Sequence, residues 1–90
     1  MLRFLATLLL LVSAASAQAA PRTLLVLGDS LSAAYNMPAE AGWVHLLDDT
    51  LAGRSPDEWR VVNASISGET TSGGLARLPE VLDEHQPKLV

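Results

Sequence analysis

Residues 23–32 read T-L-L-V-L-G-D-S-L-S, a short apolar run that stops at a glycine. A continuous apolar run of this length, followed at once by a turn, is typical of a strand that is buried on both faces of a parallel sheet. Gly28 and Asp29 supply the turn chemistry. We therefore predict a first strand over Thr23–Leu27, which ends at Gly28 and leaves Ser30 in the loop that follows.

The segment after this loop has helical periodicity. Its apolar residues fall at i, i+3, i+4 and i+8, and they are Trp43, Leu46, Leu47 and Leu51. Asp48 and Asp49 lie on the other side, as expected for an amphipathic helix. We predict a helix over Trp43–Leu51 that closes near Gly53 and turns those four apolar residues toward the core.

A second strand and a second helix follow. Turn residues at Ser55–Glu58 precede the β-branched and aromatic stretch Trp59–Ala64, which predicts a strand that ends in the loop Ser67–Thr70. Further apolar residues then repeat at i, i+3 and i+7, and they are Leu75, Leu78 and Leu82. This spacing predicts a helix from about Thr71 to His85, with a bend or restart at Pro79.

The chain ends with Lys88–Val90, which we interpret as the opening of a third strand. The order β, α, β, α, β predicts an α/β fold, a doubly wound parallel sheet with helices on both faces. We expect residues 20–90 to be the N-terminal part of a longer domain, cut within its third strand.

The first nineteen residues have the pattern of a secretory signal peptide. Arg3 gives a basic start, Phe4–Val12 is apolar, and Ala17-Gln18-Ala19 has the small residues of a cleavage site. We predict cleavage after Ala19, with Ala17 as the alternative, and hence a periplasmic or secreted protein. The apolar run is too short for a membrane span. A retained N-terminal membrane anchor is the competing interpretation.

Composition limits the partners. The 90 residues carry a net charge of −4 and no cysteine, and without Arg3 five basic residues stand against ten acidic ones, a charge of −5. Because the charges form no basic block, we expect no nucleic-acid partner. The absence of cysteine excludes a disulfide framework.

A metal site is conceivable at one place only. His45, Asp48 and Asp49 have i, i+3, i+4 spacing, which could hold a metal ion, but the same spacing is usual on a solvated helix face. We favour the solvated face and expect neither a metal nor a cofactor.

Two loops follow successive predicted strands, where open parallel sheets bind their ligands. Gly28–Ser32 and Ser67–Thr70 are rich in small residues, and each leads toward a helix N-terminus. This suits a nucleophile in one loop and an oxyanion donor in the other, with Ser30 as the better nucleophile. Asp29 or Ser30 could also serve merely as a helix cap.

The longer pattern is more specific. Three stretches of this sequence together resemble motifs of the SGNH/GDSL hydrolases. They are Gly28-Asp29-Ser30-Leu31-Ser32-Ala33, Val62-Asn63-Ala64-Ser65-Ile66-Ser67-Gly68-Glu69-Thr70-Thr71 and Gly74-Leu75-Ala76-Arg77-Leu78. The resemblance covers Thr23–Val90 and is nearest to the periplasmic thioesterase, lysophospholipase and arylesterase branch.

The resemblance implies a flavodoxin-like fold and a serine hydrolase. Ser30 would be the catalytic nucleophile, and the N–H groups of Ser30 and Gly68 would form the oxyanion hole. Substrates would be small acyl esters or thioesters (acyl-CoA, lysophospholipid or aryl ester), and the complete protein would be a monomer with no stable membrane span after signal cleavage. Asp29 would shape the Ser30 loop, and Asn63 would be a structural hydrogen-bonder.

Other family elements are not found in this sequence. The family's Gly-x-Asn-Asp loop and late Asp-x-x-His are expected after Val90, so residues 1–90 alone should be inactive or nearly so. His45 and His85 belong to no family motif and are weak candidates for the base. Ala34 stands where the branch usually has glycine, and we expect its methyl to narrow the site slightly.

A different class of protein remains in competition. The stretch Ser67–Gly74 could cradle a phosphate or a sugar in a secreted binding module that has no catalytic activity. No Gly-Lys-Ser/Thr follows it, so a nucleotide P-loop is not supported.

Overall fold

The computed structural model describes residues 19–90. The predicted signal peptide, residues 1–19, therefore lies outside the described residues apart from Ala19. The elements, in chain order, are strand β1 (Arg22–Val26), a 3₁₀ turn (Ala39–Ala41), helix α1 (Trp43–Arg54), strand β2 (Trp59–Asn63) and helix α2 (Thr71–His85). This alternation confirms the predicted α/β class.

The two strands pair in parallel, with Arg22 opposite Trp59 and Val26 opposite Asn63. The other edge of β1 faces the end of the chain, where Leu24 forms a parallel bridge with Leu89. The Leu25 N–H donates to the Leu89 carbonyl at 2.9 Å. The predicted third strand is thus a single bridge, and its position gives the spatial order second, first, third.

This order confirms the doubly wound topology. The chain goes from β1 to one neighbour and then crosses back to the other side of β1. Right-handed crossovers in opposite directions carry their helices to opposite faces of the sheet. The carboxyl end of β1 is therefore the switch point of the strand order, where open α/β sheets bind ligands.

The core of the described part is small. Leu25 at the centre of β1 is 1% exposed, and Val44 of α1 and Val81 of α2 are the other buried hydrophobic residues of residues 19–90. Thr23 is also buried. Thr23 and Leu25 share one face of β1, whereas Leu24 and Val26 on the other face are half-buried, so the described residues bury one face of the predicted strand fully and the other in part.

Helix α1 begins at Trp43 as predicted, but its buried face is different. Val44 is the buried residue of the helix, whereas Trp43 is 47% and Leu46 is 53% exposed. Leu47 and Leu51 are half-buried. The core-facing stripe therefore starts at Val44, and the assignment of Trp43 and Leu46 to it was wrong, because two stripes one residue apart compete in this sequence.

Helix α2 is continuous through Pro79, so the expected restart does not occur. Proline lacks an N–H, which leaves the Leu75 carbonyl without its helical donor but does not end the helix here. Leu75 is 71% exposed, and the assignment of this residue to the apolar face was wrong. The buried positions of α2 are Gly74 and Val81, because the first turn approaches the sheet through a residue without a side chain.

Within residues 19–90, none of the helices combines the length and the apolar character that a membrane crossing requires.

Candidate active site

The ends of β1 and β2 bring the two predicted site loops together. Beyond the last strand pair, the Ala64 N–H donates to the Val26 carbonyl at 2.8 Å, and the Ile66 N–H donates to the Gly28 carbonyl at 3.0 Å. The parallel ladder therefore continues into both loops. The segment that carries Ser30 and the segment that carries Gly68 leave the sheet side by side at the switch point.

Gly28 makes this close approach possible. A Cβ at this position would lie 2.8 Å from the Ser32 Oγ and 3.3 Å from the Ser65 Oγ. The first distance is shorter than real Cβ contacts and the second is tighter than most, so a side chain at this position would require Ser32 to shift and would crowd Ser65. The Ser65 hydroxyl is buried here and has no hydrogen-bond partner in the part of the chain that the structure describes.

The Ser30 loop is a tight, partly helical turn. The N–H groups of Ser32 and Ala33 both donate to the Asp29 carbonyl, at 3.1 and 2.9 Å, and the Tyr35 N–H donates to the Ser30 carbonyl at 3.2 Å. The Asp29 Oδ1 accepts from the Leu31 N–H at 3.1 Å. Asp29 therefore shapes the turn around Ser30, as expected from the sequence.

Asn63 ties the two loops to each other. Its Nδ2 donates to the Ser32 carbonyl at 2.7 Å, and its Oδ1 accepts from the Ser65 N–H at 3.1 Å. The amide thus bridges the loop after β1 and the exit from β2, which is the structural role that the sequence suggested. Trp43 adds a link that sequence reasoning missed, since its Nε1 donates to the Ser32 Oγ at 3.2 Å.

Gly68 lies in a turn closed by the Glu69 N–H, which donates to the Ile66 carbonyl at 3.1 Å. Its φ of +83° is in the left-handed region, where glycine has no steric cost. No atom would contact a Cβ here, so conformation and not space favours the glycine. Among residues 19–90, the N–H groups of Ser30 and Gly68 donate no backbone hydrogen bond.

An ion pair lies beneath the Gly68 turn. The Arg77 Nε donates to the Glu69 Oε1, and the Arg77 Nη2 donates to the Ala64 carbonyl at 2.5 Å. Both side chains are mostly buried, at 21% and 14% exposure. Glu69 and Arg77 both lie within the motifs shared with the SGNH/GDSL hydrolases, and this position is the only sequence signal of their contact.

A cavity of about 340 Å³ lies between the carboxyl end of β1 and the start of α2. It is lined by residues of both loops, namely Leu27, Gly28, Asp29, Glu69, Thr70, Thr71 and Gly74. The Thr70 Oγ1 accepts from the Gly73 N–H at 3.1 Å, and the Thr70 carbonyl accepts from the Gly74 N–H at 2.9 Å. These two amides of the Ser67–Gly74 stretch therefore cap and build the helix, which argues against the phosphate or sugar cradle.

Within residues 19–90, neither histidine forms a hydrogen bond with Ser30. The His45 Nε2 lies 3.3 Å from the Asp49 Oδ2, one turn away on α1, and the His85 Nε2 lies 3.9 Å from the Glu84 Oε2. The His45–Asp49 pair is largely exposed. Residues 19–90 contain no group of three histidine, cysteine, aspartate or glutamate side chains placed to hold a metal ion.

Ala34 is the residue at which the sequence departs from the expected glycine. Its φ is +58°, so the position has the left-handed backbone that glycine adopts without cost. Its methyl packs toward α1, since a Cβ at Gly42 would lie 2.9 Å from the Ala34 Cβ. The alanine therefore occupies a backbone conformation that favours glycine, and its methyl group packs close to Gly42.

These features define a class of protein: an α/β protein with a serine-bearing turn and a glycine turn side by side at the switch point of a parallel sheet. Residues 24–90 match the family described as GDSL-like Lipase/Acylhydrolase. The chain belongs to this family, and the resemblance inferred from the motifs is confirmed.

Named relatives agree with this assignment. The chain is 52% identical over 90 residues to an arylesterase of Vibrio mimicus, covering 100% of this chain and 44% of that protein. It is 59% identical over 73 residues to the esterase TesA of Pseudomonas aeruginosa, covering 81% and 36%. It is 52% identical over 89 residues to the thioesterase 1/protease 1/lysophospholipase L1 of Escherichia coli K12, covering 99% and 39%. The chain thus spans about four tenths of the length of these relatives.

Solved structures show the same fold. The crystal structure of TesA superimposes with a TM-score of 0.73 at 58% identity, covering 77% of this chain and 38% of that one. The structure of the psychrotrophic esterase EstA from Pseudoalteromonas sp., inhibited by monoethylphosphonate, gives a TM-score of 0.66 at 48% identity, covering 73% and 36%. The flavodoxin-like arrangement is therefore shared with family esterases.

Proposed function

We propose that the protein is a serine hydrolase that cleaves carboxylic esters or thioesters through an acyl-enzyme on Ser30. The observation that carries this proposal is the hydrogen bond from the Ile66 N–H to the Gly28 carbonyl, at 3.0 Å. This bond holds the Ser30 turn beside the Gly68 turn at the switch point of the sheet. A nucleophile and an oxyanion donor need this adjacency to act on one carbonyl group.

The reaction has two steps. The Ser30 Oγ attacks the acyl carbonyl carbon, and the negative charge that develops on the carbonyl oxygen is met by the N–H groups of Ser30 and Gly68. The bond to the leaving alcohol or thiol then breaks, and the leaving group takes the proton that Ser30 gave up. Water attacks the acyl-enzyme in the same manner, releases the acid and restores Ser30.

A general base must accept the Ser30 proton. His45 is paired with Asp49 and His85 lies at the end of α2, so neither supports this role. The family resemblance supports an aspartate and histidine from an Asp-x-x-His motif outside residues 1–90, together with an asparagine as a further oxyanion donor. We assign the base to that motif.

The substrate class follows from the named relatives. An arylesterase, an esterase and a thioesterase/lysophospholipase differ in their leaving groups but share acyl transfer to a serine. We propose small acyl esters or thioesters as substrates, without a cofactor or a metal. The acidic composition supports the absence of a nucleic-acid partner, and the leader sequence supports a periplasmic or secreted enzyme. We further propose that the complete enzyme is a monomer, as the family resemblance implies.

A reactive phosphonate ester tests the proposal, because it labels an activated serine covalently. In the full-length protein, we expect a mass increase on the peptide that contains Ser30 and simultaneous loss of ester hydrolysis. Ser30→Ala should abolish both while leaving the melting temperature unchanged, and Ser72→Ala, an exposed serine of α2, should change neither. Hydrolysis retained in Ser30→Ala would refute the proposal.

A further inference from the structure

We propose that Arg77 is a positioning residue for the oxyanion hole, because it fixes both ends of the loop that carries Gly68. The inference rests on the proposed function, since it gives Arg77 a task only if the Gly68 N–H stabilises an oxyanion. Arg77 lies two turns into α2 and would not itself touch the substrate. Its effect would pass through the main chain of Ala64–Glu69.

The contacts of the guanidinium support this role. Its Nη2 donates to the carbonyl of Ala64, the first residue after β2, and its Nε donates to the carboxylate of Glu69, the residue after Gly68. One planar group therefore bridges two points that lie on either side of Gly68. Two donors in a fixed fork hold such a bridge with a defined geometry, which the single point charge of a lysine cannot reproduce.

The surroundings keep the Glu69 carboxylate in place. Ideal Cβ atoms built at Gly73 and Gly74 would lie 3.5 Å from the Glu69 Oε2 and 3.7 Å from the Oε1, so the carboxylate rests against a turn without side chains. That turn is the first of α2, where the helix dipole favours negative charge. Because both partners are mostly buried, solvent screens the pair less than a surface ion pair.

The Gly68 turn has little else to hold it. Gly68 is exposed, its φ is +83°, and a Cβ there would find open space. Within the described residues, the turn is held at one end by the ladder bond of Ile66 and closed by the bond from the Glu69 N–H to Ile66. Arg77 is the side chain that connects this turn to a helix. A shift of about 1 Å in a catalytic group can cost on the order of 10²-fold in rate.

The test compares variants of the full-length protein by kcat and KM for an aryl ester. We expect Arg77→Gln and Arg77→Lys to lower kcat by about 10- to 100-fold, less than the roughly 10²- to 10³-fold for outright loss of one oxyanion donor because the N–H is displaced and not removed, while KM changes less than about 3-fold. Arg54→Gln is the matched control, since Arg54 is exposed on α1 and should leave both constants unchanged.

A double variant separates positioning from stability. Glu69→Gln with Arg77→Gln removes the charge pair without leaving a lone buried charge, so we expect the melting temperature to recover toward that of the parent while kcat stays low. In a Gly68→Ala background, Arg77→Gln should lower kcat by less than 3-fold, because both changes disturb the same N–H. Full additivity of the two effects would overturn the inference.

Other outcomes are equally decisive. A kcat that recovers together with the melting temperature in the double variant would show a purely structural ion pair, and an unchanged kcat in Arg77→Lys would show that the fork geometry is not needed. Either result refutes the role of Arg77 but leaves phosphonate labelling of Ser30 intact. Failure of the proposed function would instead appear as hydrolysis that survives Ser30→Ala.

Discussion

The main-chain N–H of Ile66 donates to the carbonyl oxygen of Gly28 at 3.0 Å, beyond Val26 and Asn63, the last pair of the β1–β2 ladder. The bond makes the two site loops a continuation of the sheet. Rigid strands therefore position both turns, which is the usual way in which a parallel sheet presents a site at its carboxyl edge.

Gly28→Ala tests how closely these loops must approach. The new Cβ would lie 2.8 Å from the Ser32 Oγ, so we expect the free energy of unfolding to fall by about 1–3 kcal/mol, as for overpacking. Denaturant titration measures this loss, and ester hydrolysis should fall with it. Gly53→Ala is the control, because nothing lies within 4 Å and alanine in a helix should add about 0.5–1 kcal/mol. Equal effects of the two substitutions would contradict the packing argument.

Ala34→Gly should stabilise the protein. Ala34 has a φ of +58°, and an L-residue in this region costs about 1–2 kcal/mol that glycine avoids. The lost methyl contact with Gly42 offsets part of the gain, so we expect a net increase of about 0.5–1 kcal/mol in a thermal or denaturant melt. Ala33→Gly, at a neighbouring residue without positive φ, should destabilise. A lower melting temperature for Ala34→Gly would mean that the methyl contact outweighs the strain.

Asn63→Ala should loosen the link between the loops. It removes a donor to the Ser32 carbonyl and an acceptor for the Ser65 N–H, for an expected loss of about 1–3 kcal/mol in unfolding free energy. Asn63→Asp keeps the acceptor but turns an oxygen toward the Ser32 carbonyl, so it should not restore stability. Arg60→Gln, an exposed change on the same strand, serves as the reference. Wild-type stability of Asn63→Asp would show that the donated bond is unimportant.

A peptide of residues 20–90 should hydrolyse no aryl ester above the rate of buffer. The reason is that His45 lies against Asp49 and His85 against Glu84, and neither forms a hydrogen bond with Ser30, so we expect no histidine in this stretch to take the serine proton. A chromogenic aryl ester and a stopped-time assay suffice. Turnover that disappears in a His45→Gln peptide would assign the base to His45 and overturn this expectation.

Much of the fold could be predicted because short local sequence patterns indicate where the strands lie. The apolar run before Gly28 and the β-branched run that begins at Trp59 each lie next to turn residues. The predicted and observed bounds of the two strands differ by no more than one residue at any end. Which face of each helix is buried could be predicted less well. Val44 competed with Trp43 as the start of a stripe, and only packing against the sheet distinguishes two stripes that are one residue apart.

The site shows the same division. Gly28 and Gly68 stood out because turns need small residues, and Asp29 and Asn63 were assigned structural roles that match their hydrogen bonds. The roles of Trp43 and Arg77 could not be foreseen, since both act across distances of several residues in the chain through side-chain geometry. The left-handed backbone of Ala34 was also hidden, because alanine gives no sign of positive φ.

Because β1 lies at the centre of the sheet, its backbone hydrogen bonds form only after its later neighbours have been synthesised. Arg22 pairs with Trp59, which is 37 residues later in the chain, and Leu24 forms its bridge with Leu89, which is 65 residues later. During synthesis at about 5–20 residues per second, β1 therefore stays without its partner at Leu89 for about 3–13 s. The strand at the centre of the finished sheet is made early and paired late, so its unpaired backbone groups are open to association with other chains during that interval.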